Sequence, residues 1–221
     1  MHVSFALAKI YTYVNVEVIG LNDLGEFKMK IDVTQHLTLG AKRTLKAFRL
    51  AMFEALSEKE FDKITVNDIC KKSEYPRATF YNYFDDKFDL LQYLWSYIGK
   101  DILNKIPRDG DEEEGLVKIF NLLLEFFNDH QELLANITKN NGSDSHLWHS
   151  MSGYLRHEAN ILVYNYCKDN DQVKVPVKLL ARFYSDLIIA VLEWCLFEQP
   201  EIDINTADEY LVNLLNGGLN A

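Results

Sequence analysis

The segment Arg77–Phe84 carries side chains suited to contacts with nucleic-acid bases. Phe80 and Phe84 are four residues apart, so a helix would turn both into a core. The side chains left exposed are basic, small, hydroxyl, amide or aromatic: Arg77, Ala78, Thr79, Tyr81, Asn82 and Tyr83. Asparagine pairs bidentately with adenine, threonine and alanine contact the thymine methyl, and tyrosine hydroxyls reach phosphates. We predict a helix that reads a major groove. The alternative is that Tyr81 and Tyr83 are half-buried packing residues.

Two side chains flanking this segment are candidates for phosphate contacts. Thr65 begins the preceding helix, where its hydroxyl and the free backbone N–H groups can bind an anion. Lys87 begins the following helix and supplies an ammonium group. Both belong to the predicted DNA-binding set.

Four helices must position these groups. Leu45, Phe48, Met52 and Leu56 recur at intervals of three, four and four residues, which predicts a helix over 39–58. Further helices are predicted from Val66, from Pro76 and over 87–104 by a Thr-x-x-Asp capping box, a proline at the first helical position and Asp85-Asp86 before Lys87. Two short helices joined by a turn, after a longer one, indicate a helix-turn-helix.

The rest of the chain also has helical periodicity. Helices are expected at about 115–130, 132–139, 146–169, 175–198 and 206–216, the last capped by Thr206, with a solvated acidic linker at 109–114. The predicted fold class is therefore all-α. Its helix-turn-helix domain spans 39–86, and a helical ligand-binding and dimerisation bundle spans 87–221.

Residues 1–38 differ from everything after them. The segment 12–18 alternates in polarity with β-branched residues, which is typical of a strand, yet one strand or hairpin is not stable alone. We interpret 1–38 as an extension. One hypothesis is that natural translation starts at Met29, because Gly25-Glu26 can encode a ribosome-binding sequence just upstream. The alternative is a loosely packed arm.

Three motifs resemble the DNA-binding region of TetR-family transcriptional regulators. They are Thr65-Val-x-x-Ile69, then Thr79-Phe-Tyr-x-x-Phe84, then Lys87 three residues later. The resemblance covers roughly 44–95. It implies that Thr79, Tyr81, Tyr83 and Lys87 lie at the DNA and that Phe84 is structural.

The chain departs from the family pattern in the turn. Glu74 stands where the family has glycine, and Pro76 where it has a serine cap. A non-glycine residue in a left-handed conformation costs about 1 kcal/mol, so we expect a differently shaped turn, with Ser73 as a replacement cap. The departures affect the approach angle of the reading helix.

The helix at 175–198 is apolar on more than one side. Its polar residues occupy an arc of about 100°, so two of its faces need cover. We expect a two-fold dimer, with interface residues Tyr184, Ile188, Val191 and Trp194. The alternative is a central helix of a monomeric bundle. The resemblance likewise implies a dimer through the last two long helices, and two reading helices suit a palindromic double-stranded operator.

The middle of the bundle is rich in aromatic residues, whose helical spacing is also that of core filling. The resemblance implies an effector pocket here, with candidate contacts Phe120, Phe127, Trp148, Met151 and Tyr154. We predict no metal and no cofactor. His146 and His157 lie about 16 Å apart on a helix, and no third ligand completes a site for His146 with His149.

Composition excludes several classes of protein. Residues 40–105 carry 12 Lys/Arg and 10 Asp/Glu while 106–221 carry 8 and 19, so the chain is no general polyanion binder. The three cysteines form no disulfide framework, and no run of about 18 apolar residues spans a membrane, so we expect a cytoplasmic protein. Catalytic motifs are missing from the sequence. We predict a ligand-responsive repressor rather than an enzyme; an activator, or a protein-binding module of the same fold, is the alternative.

Overall fold

The computed structural model describes residues 29–31, 37–104, 121–122, 124–126, 129–167, 174–199 and 204–215. Every regular element in these ranges is helical, which confirms the all-α fold class. No helix within them is long and apolar enough to cross a membrane. The strand predicted at 12–18, the acidic run 109–114 and most of the helix predicted at 115–130 lie outside the described residues.

The first four helices of the described residues begin within one residue of the predicted positions. Helix α1 is Leu39–Glu58, followed by a 3-10 turn at Phe61–Lys63, α2 at Val66–Ser73, α3 at Arg77–Tyr83 and α4 at Lys87–Asn104. Thr38 caps α1 by accepting a hydrogen bond from the Ala41 N–H. Pro76 is the N-cap of α3 rather than its first residue. The local signals therefore located these elements correctly.

Four more helices with defined bounds follow in the part of the chain that the structure describes. They are α5 at Gln131–Asn140, α6 at His146–Cys167, α7 at Val177–Glu193, which continues as a π-helical turn at Trp194–Glu198, and α8 at Ile204–Leu215. The prediction that Thr206 caps the last helix is wrong, because α8 begins two residues earlier and Thr206 lies in its first turn.

The chain forms two compact units. The first consists of Glu26–Gly99 and His130–Tyr154, and the second includes Lys100–Asp129 and Leu155–Ala221. The start of α4, the whole of α5 and the first turns of α6 thus belong to the same unit as the helix-turn-helix. This grouping differs from the predicted boundary after residue 86, which remains a prediction about function.

The core of the first unit centres on Phe48. Its side chain is fully buried and its ring makes edge-to-face contacts with Phe80 and Phe84, at centroid distances of 5.4 and 6.0 Å. Tyr75, in the turn before α3, contacts the same ring. The predicted inward orientation of Phe80 and Phe84 is confirmed, and it fixes α3 against α1.

Helix α5 packs on α1, and polar contacts close the corner after it. The buried Asn141 side chain accepts a 2.8 Å hydrogen bond from the Phe61 N–H, and Asn140 donates to the Ser57 carbonyl at 3.1 Å. His146, at the start of α6, lies 2.9 Å from the Asp62 carboxylate. The region around the 3-10 turn is therefore held by residues about 80 positions away.

In the second unit, α6 and α7 are joined through polar groups. Ser185 is fully buried and accepts a 3.1 Å hydrogen bond from Asn160. Asp186 accepts hydrogen bonds from Arg156 of α6 and Arg182 of its own helix. Part of the polar arc of α7 therefore faces α6, which leaves apolar residues of α7 on the surface.

The turn between α2 and α3 keeps a left-handed residue. Glu74 has φ 60° and ψ 20°, so the expectation of a differently shaped turn is wrong. Ser73 ends α2 and does not cap α3; its hydroxyl accepts a long 3.4 Å hydrogen bond from the Tyr75 N–H. The surrounding packing, with Phe48 against Tyr75, holds Glu74 in this conformation.

Replacing Glu74 with glycine is expected to stabilise the protein. Relief of left-handed strain is worth about 1 kcal/mol, partly offset by the greater freedom of glycine in the unfolded chain, so we expect a gain of about 0.5 kcal/mol. Urea unfolding measures it. Glu74→Ala is the control, because alanine keeps the Cβ and the strain; an equal gain in both variants would point to the removed charge instead.

Candidate nucleic-acid interface

Helix α3 presents most of its polar side chains to solvent. Arg77, Ala78, Tyr81 and Asn82 are exposed, whereas Phe80 between them is fully buried. Thr79 is half-buried. A seven-residue helix anchored by one phenylalanine thus displays a continuous polar surface of the kind that fits a major groove.

The two tyrosines of α3 have different surroundings. Tyr81 is 40% exposed, and its hydroxyl accepts a 3.1 Å hydrogen bond from Arg77 one turn earlier. Tyr83 is half-buried and its ring contacts Phe84. The packing interpretation therefore describes Tyr83 better than Tyr81, whose hydroxyl and neighbouring guanidinium form one exposed polar group.

Thr65 is exposed at the start of α2, where it forms the predicted capping box. The Asp68 carboxylate accepts hydrogen bonds from the Thr65 N–H and hydroxyl at 2.9 and 2.7 Å, and the Asp68 N–H donates to the Thr65 hydroxyl. Hydrogen bonds from Lys59 and then from Thr65 hold the pKa of Asp68 well below its usual range. The carboxylate stays ionised and the N-terminus of α2 is rigid.

Lys87 is occupied within the protein. Its ammonium donates to the carbonyl oxygens of Phe61, Asp62 and Ile64 at 2.8, 3.0 and 3.0 Å. Burial lowers the pKa of Lys87, with the Asp62 and Asp86 carboxylates opposing the shift. An ammonium group has three N–H donors, and all three are used, so this geometry indicates a role in holding the 3-10 turn against α4 rather than in binding phosphate.

Replacing Lys87 with methionine is expected to lower the free energy of unfolding by about 2 kcal/mol. Three carbonyl groups lose a charged donor, while methionine preserves the apolar stem. Urea unfolding measures the loss. The dependence of DNA affinity on salt is expected to stay the same; a fall of about 0.9 in the slope of log affinity against log salt would instead assign Lys87 to a phosphate.

The helix-turn-helix region is similar to that of known bacterial regulators. Residues 51–94, which run from α1 into α4, match the family model described as "Bacterial regulatory proteins, tetR family". This stretch contains the whole capping box, the turn and the reading helix α3. Residues 51–94 therefore form a TetR-type helix-turn-helix, and this match supports a DNA-binding transcriptional regulator.

Solved structures share the TetR fold with this chain. A TetR-family transcriptional regulator from Syntrophomonas wolfei superposes with a TM-score of 0.61 at 21% identity, covering 81% of this chain and 98% of its own. A TetR transcriptional regulator from Streptococcus agalactiae superposes with a TM-score of 0.56 at 22% identity, covering 79% of this chain and 94% of its own. The fatty acid degradation regulator FadR from Bacillus halodurans superposes with a TM-score of 0.56 at 17% identity, covering 81% of this chain and 99% of its own. No protein with curated annotation matches the sequence.

The candidate effector contacts are only partly described. Phe120 and Phe127 lie outside the described residues. Trp148 and Tyr154 are buried on α6 and Met151 is half-buried. A Cβ atom at Gly99 would lie 2.3 Å from the Tyr154 hydroxyl oxygen, so Tyr154 packs directly on the α4 backbone. Its placement is that of a packing residue.

The predicted dimer residues divide into buried and accessible ones. Ile188 and Val191 are buried within their own unit, Tyr184 is half-buried and Trp194 is exposed. The two buried side chains would need to rearrange to reach a partner, so the interface stays a prediction that the exposed residues support best. The exposed apolar residues of α7 are Leu179 and Phe183, at 59% and 58%. Because Ser185 faces α6, the side of α7 that carries Leu179 and Phe183 is turned to solvent.

Two observations concern metal ligands and thiols among the described residues. No cluster of three histidine, cysteine or carboxylate side chains that could hold a metal occurs among them. Burial raises the pKa of the Cys70 thiol, which keeps it protonated and unreactive.

Sequence reasoning missed several residues that hold this interface. Asn141, which receives the Phe61 N–H, and Lys30, which contacts the end of α3, were not singled out. Their partners lie 80 and 51 positions away, so no local spacing marks them. A polar residue directly after a helical segment is the one available signal for Asn141, and it is shared by many surface loops.

Proposed function

We propose that this TetR-family protein is a repressor that binds a palindromic operator as a homodimer and is released by a small-molecule effector. In this proposal Arg77, Ala78, Thr79, Tyr81 and Asn82 lie in the major groove. Tyr83 and the N-terminal backbone of α2 face phosphates, whereas the Thr65 N–H and hydroxyl stay bonded to Asp68, and Lys87 holds the 3-10 turn. The protein acts in the cytoplasm, where its operator is, and acts by binding rather than catalysis.

The observation that carries the proposal is the exposure of α3. Tyr81 and Asn82 are exposed although Phe80 beside them is fully buried. The Tyr81 ring contacts Phe80, but the Tyr81 hydroxyl and the Asn82 amide lie on the exposed side of this short helix, where they can meet another molecule. Both groups can form hydrogen bonds with base edges and phosphate oxygens.

The operator-binding proposal is tested by selection from a random pool of DNA duplexes. The expected result is enrichment of one sequence with two-fold symmetry, bound with strong salt dependence. Binding that does not vary with salt, or no enrichment, would contradict DNA binding. A template carrying the enriched sequence at a promoter then separates repression from activation by transcription in vitro.

A homodimer is supported by the apolar surface of the second unit. Leu179, Phe183 and Trp194 recur on one side of α7 and its π-helical extension, and Tyr210 contacts Trp194 from α8 at a centroid distance of 5.4 Å. Leu214, also on α8, is 46% exposed. Several exposed apolar side chains on two neighbouring helices are typical of an interface, and a two-fold axis would pair them with their copies.

Replacing Phe183 with glutamate is expected to separate the dimer. A carboxylate buried without a partner in an interface costs several kcal/mol, so the dimer dissociation constant should rise at least about a hundredfold. Sedimentation equilibrium measures it. Ser143→Glu, in the exposed loop between α5 and α6, adds the same charge elsewhere and should leave the dimer intact. A dimeric Phe183→Glu protein would place the interface on another surface.

The effector part of the proposal comes from the family resemblance and the aromatic middle of the bundle. Among the described candidates, Trp148 is buried and Met151 is half-buried, whereas Tyr154 packs on the α4 backbone. If an effector lowers the affinity of the protein for DNA, bound DNA must lower the affinity for the effector by the same factor. A titration in which ligand and operator bind independently would contradict effector control.

A further inference from the structure

The segment 29–31 is attached to the end of the reading helix by one carboxylate. The Asp89 side chain is buried, and one oxygen accepts a 3.2 Å hydrogen bond from the Lys30 N–H. Its other oxygen accepts a 2.9 Å hydrogen bond from the Asp85 N–H, in the connection between α3 and α4. The backbones of Lys30 and Asp85 are therefore held side by side.

This attachment places the Lys30 ammonium on the negative end of α3. It donates a 2.7 Å hydrogen bond to the Tyr81 carbonyl and lies 2.9 Å from the Asp85 carboxylate. Carbonyls in the last turn of a helix have no partner inside the helix and carry the negative end of its dipole. Lys30 compensates both the free carbonyl and the carboxylate.

The carboxylates after α3 differ in how they are compensated. Asp86 accepts hydrogen bonds from the Phe88 and Asp89 N–H groups at the start of α4, and Asp89 accepts the two described above. The Asp85 side chain is 73% exposed and pairs with Lys30. Without Lys30, an exposed negative charge would stand two residues beyond Tyr83, beside a surface that has to approach phosphates.

We propose that Lys30 is a positioning residue for DNA recognition, which neutralises Asp85 and the carbonyl end of α3 so that the reading helix can approach a polyanion. Lys30 does this from outside the helix-turn-helix and without contacting DNA itself. The inference rests on the proposed DNA interface at α3 and adds a residue to it. Loss of Lys30 is expected to weaken DNA binding because it leaves the Asp85 carboxylate without its counter-charge.

The test is a double-mutant cycle with the duplex that the unaltered protein enriches from a random pool. Lys30→Met is expected to weaken binding roughly fivefold to tenfold, the size of one uncompensated charge near phosphates. Asp85→Asn in the Lys30→Met background is expected to restore affinity to within about twofold, and Lys30→Arg to retain it. Lys139→Met, which removes an exposed lysine from α5 in the same unit, is the control and should bind normally.

The outcomes separate the possible roles of Lys30. Loss of affinity that Asp85→Asn does not restore would overturn the inference, because it indicates a direct phosphate contact or a purely structural role. Normal binding by Lys30→Met would overturn it too. Failure of the proposed function is distinct, since it appears as absence of duplex binding by the unaltered protein and removes the inference with it.

Discussion

Replacing Tyr81 and Asn82 together with alanine is expected to abolish specific DNA binding while leaving the protein folded. A bidentate asparagine–adenine pair is worth about 1–3 kcal/mol and a hydroxyl–phosphate hydrogen bond about 1 kcal/mol. The affinity for the selected duplex should therefore fall between about thirtyfold and a thousandfold for each reading helix. Loss of the Tyr81 hydroxyl also frees Arg77 from its hydrogen-bonded position, which adds to the effect.

Stability and DNA affinity are measured separately for this double variant. Tyr81 is 40% exposed and its ring contacts Phe80 edge-to-face, a pair worth about 0.5–1.5 kcal/mol, so urea unfolding of the double variant should stay within about 1.5 kcal/mol of the unaltered protein. Asn136→Ala removes an exposed amide from α5 of the same unit and should bind DNA normally. Undiminished binding by a folded Tyr81→Ala/Asn82→Ala protein would contradict the assignment of α3 as the reading helix.

Replacing Phe48 with alanine is expected to unfold much of the first unit. The side chain is fully buried and contacts three aromatic rings, those of Tyr75, Phe80 and Phe84. Truncating a buried phenylalanine costs about 3–5 kcal/mol, which is a large part of the 5–15 kcal/mol that stabilises a typical domain. Urea unfolding followed by circular dichroism measures the loss, and DNA binding should fall with the folded fraction.

Two further variants make the Phe48 result specific. Phe48→Leu preserves most of the volume and should cost less than half as much. Leu50→Ala, on the exposed side of the same helix, should cost no more than about 0.5 kcal/mol. A Phe48→Ala protein as stable as Leu50→Ala would show that α3 does not depend on the aromatic cluster for its position.

The amino-acid sequence by itself determined the helices of the reading region. The bounds of α1, the capping box of Thr65 and Asp68, the inward position of Phe80 and Phe84 and the extent of α4 were all predicted. Each depends on groups within about four residues of one another, since the helical repeat and the capping hydrogen bonds connect only near neighbours. Such signals are present in the sequence whatever the rest of the chain does.

Tertiary structure alone decided which groups remain available. Local pattern predicted Lys87 to be a phosphate ligand, yet three carbonyl oxygens around the 3-10 turn accept hydrogen bonds from its ammonium group. Glu74 keeps the left-handed turn, and a hydrogen bond from Asn160 to Ser185 turns Ile188 and Val191 inward and leaves Phe183 outside. These outcomes depend on what a distant segment offers, because burial and donor satisfaction are settled only when two elements pack together.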